Sequence, residues 1–542
     1  MVSRSATSCA QRSNLGSANA GSMPRLHLMS VSPIERVAFV SLGCPKNLVD
    51  SEKMLGLLAK DGMTLVNEDQ SPDAIVVNTC GFLEASKDES LGVIKDALAR
   101  KERGELKRVV VAGCLVQRHR AKILEWAPGI DALIGVFDRD HIIDAVRGTT
   151  APRERLGDGD ARPGYWISSN ALIAAAERGI PTVGLTVNGK DGRGIGYFEG
   201  DENRYRLTPR HWAYLRVSEG CNQRCAFCTI PSIRGKMRSK SAEAIVNEAR
   251  ILLADGAFEL NLIGQDTTSW GMDIGDAGGL VGMLEKLDRV VQEAGGGWVR
   301  LMYAYPSNFT PAMMDAIARL SSLVKYIDMP LQHASDRMLT LMRRNVSAAH
   351  QEDIVAQLRD RIPGMAIRTT FITGHPGETE ADHEELLALV ERSQFDAMGV
   401  FRYSSEDGTP SGTMHSDPAL AVSDEVSRRR EKELMELQQT IAFENASFVA
   451  EQRSQFDVLI DGPARGQTRG RATAGVSGDT TLYSGRGYHQ APQIDGLTHV
   501  LSREPLAAGE LVRCTIVAAD GYDLVAQPVA DLEKTIRLPV VR

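Results

Sequence analysis

Apolar residues in this chain fall into short runs separated by stretches in which they recur every three or four positions. Near the N-terminus the runs Val37 to Leu42, Ala74 to Val77 and Val109 to Ala112 predict buried strands. Between the last two, Leu91, Ile94 and Leu98 keep helical spacing until Gly104 stops the helix. Strands alternating with helices predict a doubly wound parallel α/β domain over residues 35–148.

From 149 to 206 the pattern dissolves into a segment rich in Gly, Arg and Asp, with one short helical patch near 171–178, which reads as a long linker or insertion. It resumes at Leu207. Runs at Tyr214 to Val217, Leu260 to Ile263, Val299 to Tyr303, Val324 to Ile327, Ile367 to Ile372 and Met398 to Phe401 alternate with helical segments such as 241–255 and 378–392. Six such units over 207–445 predict a partial (β/α)6 barrel, whose chemistry belongs on the loops at the carboxyl ends of its strands.

A long charged helix, about 423–453, leads to runs at Phe456 to Asp461, 472–476 and Leu511 to Val517 that alternate apolar and polar residues between Gly-rich turns. These predict a small antiparallel β-barrel over 446–528, followed by a tail, 529–542. Residues 1–34 are rich in Ser, Ala and Arg, carry no acid and lack an apolar signal core. They read as a disordered extension, or as a start assigned too early with Met23 or Met29 as the first residue.

Length changes little, since 542 residues accommodate about three domains at roughly 150 residues each. The net charge of -8 argues against a protein that coats nucleic acid and suits a basic macromolecular partner. The C-terminal barrel adds to this. Between Gln452 and Gln527 it has seven arginines, no lysine and eight acids, so it lacks the basic footprint of an RNA-binding barrel. No window approaches the length of about 18 apolar residues that suggests a membrane span. Eight cysteines in this length fit a reducing compartment, and the expected location is the cytoplasm.

Candidate chemistry concentrates in the cysteines. Cys221, Cys225 and Cys228 follow one predicted strand in a C-x3-C-x2-C loop. Three is an odd number for disulfides, and a structural zinc site would want a fourth ligand nearby, whereas the nearest downstream histidine is His333. A four-iron cluster held by three thiolates leaves one iron open. Cys44, Cys80 and Cys114 each end one of the N-terminal runs. A single such cysteine is more often a small buried hydrophobe, but parallel strands bring all three to one sheet edge, which predicts a second cluster. Cys514 lies within a predicted strand, and no chemistry is expected of Cys9.

The barrel mouth is expected to carry Gly264-Gln-Asp-Thr, Tyr303-Ala-Tyr-Pro, Met329-Pro-Leu-Gln-His, Thr373-Gly-His-Pro-Gly-Glu378 and Arg402-Tyr-Ser-Ser. Gln265, Asp266, Gln332 and Thr373 are candidates for contacting a cofactor's ribose or amino-acid part, although each could equally cap a helix. Glu378 is placed as an early helical residue. His333 and His375 receive no role, because hydrogen abstraction by a radical needs no side-chain base.

The C-x3-C-x2-C loop resembles the signature of the radical S-adenosylmethionine enzymes. With both cysteine groups, the chain over about 35–148 and 205–527 resembles the methylthiotransferases, which have an N-terminal cluster domain, a partial barrel and a C-terminal TRAM domain. Within them it is similar to the RimO family. The resemblance is carried by Ser41-Leu-Gly-Cys-Pro-Lys-Asn-Leu-Val-Asp-Ser-Glu52, Glu219-Gly-Cys-Asn-Gln-Arg-Cys-Ala-Phe-Cys228, Ile230-Pro-Ser-Ile-Arg-Gly-Lys236 and Ile327-Asp-Met-Pro-Leu-Gln-His-Ala-Ser335. The transfer-RNA-modifying relatives usually have Gly-Cys-Gln-Met-Asn and Pro-Tyr-Thr-Arg-Gly at the first and third of these.

The resemblance implies two [4Fe-4S] clusters, the radical-generating one on Cys221, Cys225 and Cys228 and an auxiliary one on Cys44, Cys80 and Cys114. It implies two S-adenosyl-L-methionine molecules, an external electron donor, and as substrate an aspartate of protein twelve of the small ribosomal subunit, methylthiolated at its β-carbon. The alternatives are the same chemistry on a transfer-RNA adenosine, or a non-enzymatic iron–sulfur electron carrier or RNA-binding module. The 149–206 segment exceeds the usual linker of the family.

Overall fold

The computed structural model describes residues 33–149, 164–167, 200–464 and 480–536; all but the last two residues of the expected N-terminal extension, the helical patch near 171–178 and the run at 472–476 lie outside them.

The first sheet is parallel throughout. Its strands β1 (Arg36–Ser41), β2 (Thr64–Val66), β3 (Ala74–Thr79), β4 (Arg108–Gly113), β5 (Ala132–Ile134) and β6 (Gly164–Trp166) lie in the order β2-β1-β3-β4-β5-β6. β3 and β4 are apolar along most of their length because both faces are covered. Ile75, Val77, Val109 and Val111 pack with Leu91, Ile94 and Leu98 of helix Glu84–Glu102 on one side. Ala74, Val76, Val110 and Ala112 pack with Met54 and Leu58 of α1 (Pro45–Lys60) on the other. β6 lies in the interval expected as linker, where Trp166 is buried and the strand pairs with β5. A three-residue edge strand has too little periodicity to be read from sequence.

The second sheet begins with β7 (Trp212–Arg216). A two-stranded ribbon, β8 (Ser218–Glu219) with β9 (Arg238–Ser239), brackets the cysteine loop that follows. Then come β10 (Glu259–Ile263), β11 (Trp298–Leu301), β12 (Leu323–Asp328), β13 (Ala366–Thr373) and β14 (Ala397–Arg402). β7 and β10 to β14 pair in parallel and in sequential order, with β7 and β14 as unpaired ends, the arrangement of an open (β/α)6 barrel. Its core joins strand residues such as Leu260, Leu262 and Ile327 to helix residues such as Ile245, Leu287 and Leu386.

The C-terminal strands β15 (Gln455–Pro463), β16 (Thr481–Gly487), β17 (Thr498–Ser502), β18 (Leu511–Asp520) and β19 (Asp523–Pro528) close a barrel in the order β15-β16-β17-β19-β18. One pair, β17 with β19, is parallel, which departs from the expected antiparallel closure. The expected tail begins as helix Val529–Ile536, held where Asp531 Oδ2 accepts from the Arg503 amide at 2.9 Å. Among the described residues, no helix is long and apolar enough to cross a membrane.

Candidate active site between two cysteine groups

Cys44, Cys80 and Cys114 follow β1, β3 and β4, at the edge where parallel sheets bind ligands. The order β2-β1-β3 reverses direction between β1 and β3, so Cys44 and Cys80 flank the switch-point crevice, with Cys114 one strand further on. Gly43, at φ +89°, allows the close approach. A Cβ there would lie 2.9 Å from Cys80 Cβ and 3.2 Å from its sulfur. Burial pushes the Cys114 thiol up to about 12, with Arg234 opposing and Cys44 and Cys80 adding to the rise. Each thiol thus lies in the field of the others, and a bound cationic centre would favour the thiolates.

In the barrel, the loop after β8 holds Cys221, Cys225 and Cys228. The Cys221 amide donates to Gly235 O at 3.2 Å, and Ala226 N donates to Met342 O at 2.8 Å. Burial, with neighbouring cysteines adding to it, pushes the Cys221 and Cys228 thiols up to about 12. Each group has one arginine donor on one sulfur: Arg234 Nη2 lies 3.2 Å from Cys114 Sγ, and Arg344 Nη1 lies 3.5 Å from Cys225 Sγ. Arg344 also stacks over the Tyr305 ring, whose hydroxyl lies 3.8 Å from Cys225 Sγ.

Among the described residues, no three Cys, His, Asp or Glu side chains converge closely enough to hold a single metal ion. In a four-iron cluster each thiolate binds a different iron, so the sulfurs stand farther apart than around one ion. Three sulfur donors apiece, with N–H donors toward them, fit such clusters.

The four residues expected to contact a cofactor differ in what they leave available. Gln265 donates to Glu219 Oε1 at 2.8 Å, and its own Oε1 has no partner. Gln332, at φ +74°, pairs its backbone with Thr370 and Ile372 while its Oε1 is also without a partner. Two buried acceptors at the ends of two barrel strands fit a ligand bearing N–H or O–H donors. Asp266, by contrast, accepts from Gln223, Thr268 and Ser269. Thr373 is fully buried, with its hydroxyl 3.4 Å from Glu378.

The mouth histidines have structural partners. His333 Nδ1 accepts from the amides of Ala334 and Ser335 at 2.9 and 3.1 Å, with Nε2 3.4 Å from Glu378. His375 bonds Pro376 O and Ser411 Oγ. Glu378 is not an early helical residue. The helix starts at Glu380 behind a capping box of Thr379 and Asp382, and Glu378 instead accepts from the Gly374 amide and pairs with Arg430.

Charged residues that received no expectation join the two groups. Asp50 of α1 accepts from Arg139 of the first unit and from Arg216 and Arg234 of the barrel, the last two at 2.6 and 3.0 Å. Glu219 accepts from the same two barrel arginines at 2.8 and 2.9 Å, and against its burial they hold its carboxyl well below the usual range. Ile233 packs on Cys114 and Val136. Lys46, two residues beyond Cys44, places its Nζ 3.2 Å from the centre of the Tyr303 ring, and burial lowers its ammonium to about 8. The loop Tyr303-Ala-Tyr305 therefore touches Lys46, beside Cys44, through Tyr303 and the barrel cysteines through Tyr305. Lys46, Arg234 and both tyrosines stand in the sequence motifs quoted above, but nothing in the sequence alone separates a site residue there from a packed one.

Residues 36–135 match the family described as Uncharacterized protein family UPF0004, 215–390 the Radical SAM superfamily and 454–529 the TRAM domain. The chain is 39% identical over 496 residues to the ribosomal protein uS12 methylthiotransferase RimO of Anaeromyxobacter sp. (strain K), covering 91% of this chain and 93% of that protein. It is 38% identical to the protein of the same name from Solibacter usitatus (strain Ellin6076), covering 93% and 97%. Among solved structures it is similar to the radical S-adenosylmethionine methyltransferase TsrM of Kitasatospora setae, with cobalamin and a [4Fe-4S] cluster bound. That likeness has 14% identity over 70% of this chain and 74% of that chain, and a TM-score of 0.46.

Proposed function

The chain belongs to the RimO methylthiotransferase family, and from that premise we propose that it inserts sulfur and a methyl group at the β-carbon of an aspartate in ribosomal protein uS12. The observation that carries this reading is the pairing of two three-thiol groups through one loop and one ion network. A radical generator alone would not need the second group.

Cys221, Cys225 and Cys228 would hold the cluster that binds S-adenosylmethionine, and Cys44, Cys80 and Cys114 the auxiliary one. When bound, these groups supply the electron, the 5′-deoxyadenosyl radical, the sulfur and the methyl group. The protein's own part is placement and exclusion of water. Arg344 and Tyr305 fix the Cys225 sulfur, and Arg234 fixes that of Cys114. Gln265 and Gln332 are offered as the polar contacts of S-adenosylmethionine. Asp266 would act through Gln223 and the 268–269 turn, and Thr373 through Glu378. Asp50 and Glu219 hold the units in register through shared arginines, so the distance between the groups is set by buried ion pairs.

The acidic chain and its near-neutral TRAM barrel suit a basic ribosomal protein better than a polyanion. A transfer-RNA substrate is not favoured, since the relatives are named for uS12. An external one-electron donor and a cytoplasmic location complete the proposal.

Anaerobic reconstitution with reductant and S-adenosylmethionine, then mass spectrometry of uS12 and of transfer RNA, tests it. A methylthio gain on transfer RNA with none on uS12 would overturn it. Replacing Cys80 with Ala should abolish sulfur transfer while reductive cleavage of S-adenosylmethionine continues. Loss of both in a folded variant would count against two separate clusters.

A further inference from the structure

Lys46 is a buried cation with no ion pair. The residue is 5% exposed, and among the described residues its ammonium makes no hydrogen bond or salt bridge, only the contact with the Tyr303 ring. Lysine is rarely buried this deeply without a partner, because desolvating the charge is costly and a ring face offsets only part of it.

Besides Cys44, the acids that act on it are committed elsewhere. Glu219 already accepts from Arg216, Arg234 and Gln265, and Asp328 accepts from Arg368 and the Tyr303 amide. The nearby arginines are satisfied as well, with Arg234 holding Asp50 and Glu219, and Arg216 holding Asp50, Asp201 and Glu219. Lys46 is therefore a cation at this junction with no carboxylate partner among the described residues; the Cys44 thiolate favours it but is taken by the cluster in the reading above, and Arg344, also buried without an ion pair, is already directed at Cys225 Sγ and Pro330 O.

Its position says which anion fits. Lys46 follows Cys44 by two residues and lies on Tyr303, and Tyr305, two positions along the same loop, reaches Cys225. Resting on the reading of the substrate given above, we propose that the Lys46 ammonium receives the side-chain carboxylate of the target aspartate. The β-carbon is bonded directly to that carboxylate carbon. One charge-assisted contact at Lys46 thus fixes the reacting atom a single bond away, between the two cysteine groups. It also selects aspartate over asparagine, and a peptide acid over a base that carries no charge. A cation retained only to balance the auxiliary cluster would show no such selection.

The test uses reconstituted holoenzyme, as wild type and as Lys46→Met and Lys46→Arg, with two peptides spanning the uS12 target loop, one with Asp and one with Asn at the modified position. Peptide affinity is read by fluorescence anisotropy, KM and kcat for methylthio transfer by mass spectrometry, and cluster loading by iron content and electron paramagnetic resonance. Wild type should bind the Asp peptide about ten- to hundredfold more tightly than the Asn peptide. Lys46→Met should bind the two equally, with the loss for the Asp peptide falling mainly on KM and with iron content unchanged. Lys46→Arg should recover most of the preference. A preference that survives in Lys46→Met overturns the inference, as does a Lys46→Met whose only defect is lost iron. Wild-type enzyme that leaves the Asp peptide unmodified would instead sink the functional reading itself, and this inference with it.

Discussion

At the scale of single residues, the site depends on approaches that only small or specifically partnered side chains permit. Gly43 is one. A side chain there meets Cys80 Cβ at 2.9 Å, in a left-handed backbone conformation that costs roughly 1–3 kcal/mol for a residue with a Cβ. Gly43→Ala should therefore push Cys44 and Cys80 apart and lower the iron bound after reconstitution by about half, since the barrel cysteines lie on a separate loop. Full iron loading, with the signals of both clusters intact, would show that the crevice can widen without harm. Such contacts explain what was legible in the sequence. Cysteines repeating at strand ends can be read, because the strands and the thiols are both visible in the text. Whether Lys46 is buried, or Gln265 is held by Glu219, depends on residues tens of positions away, and no local pattern carries that.

At the scale of elements, α1 is the part that couples sheet to barrel. Cys44 stands at its N-cap position without a side-chain cap, Pro45 opens its first turn, and Asp50 and Glu52 lie buried one turn on and beyond. Asp50 collects Arg139, Arg216 and Arg234, while Glu52 pairs with Arg204 and accepts from the Leu207 amide. Asp50→Ala removes the carboxylate that three buried guanidiniums share. Breaking such a pair costs about 3–5 kcal/mol, less here to the extent that the arginines' other partners, Glu219 and Asp201 among them, still serve them. A urea midpoint lowered accordingly, with methylthio transfer impaired more than cleavage of S-adenosylmethionine, is the expected result. A change below about 1 kcal/mol would mean that α1 is seated by apolar packing alone. The alternation of strand and helix revealed both parallel sheets, because sustained periodicity survives local noise. The brief β6 and the helix Val529–Ile536, hidden at the edges of a linker and a tail, offered too few repeats to be read.

Across the whole molecule, the TRAM barrel seals the end of the central barrel opposite the cysteines. The connection between β16 and β17 lies against residues within the barrel strands and, through the Tyr488 hydroxyl on Gly364 O, just before β13. Arg300 donates to Tyr488 O at 2.6 Å, Tyr214 to Gln493 at 3.3 Å and Tyr326 to Asp495 at 2.8 Å. Arg486 reaches Glu259 and Asp461, and Asp461 also accepts from His211. A barrel packed this way is positioned to hold the scaffold together.

The same packing gives the fold an acid limit. Burial lowers His489 in the TRAM connection and His375 at the barrel mouth to about 4, from an ordinary value of 6.5. The unfolded chain then takes up protons that the folded chain refuses, so this stability is complete above about pH 6.5 and is lost as pH falls toward 4. At pH 5 the loss is about 2 kcal/mol for a fully buried imidazole such as His375, and less for His489, which keeps some exposure. His489 packs between Phe456 and Tyr488 with its Nδ1 unpartnered, so Phe can replace it without stranding a hydrogen bond. His489→Phe should leave the thermal midpoint at pH 7.5 close to that of the wild type and reduce its fall between pH 6.5 and 5. An unchanged pH slope would place the acid-sensitive imidazoles outside the TRAM contact, with His375 the next to replace.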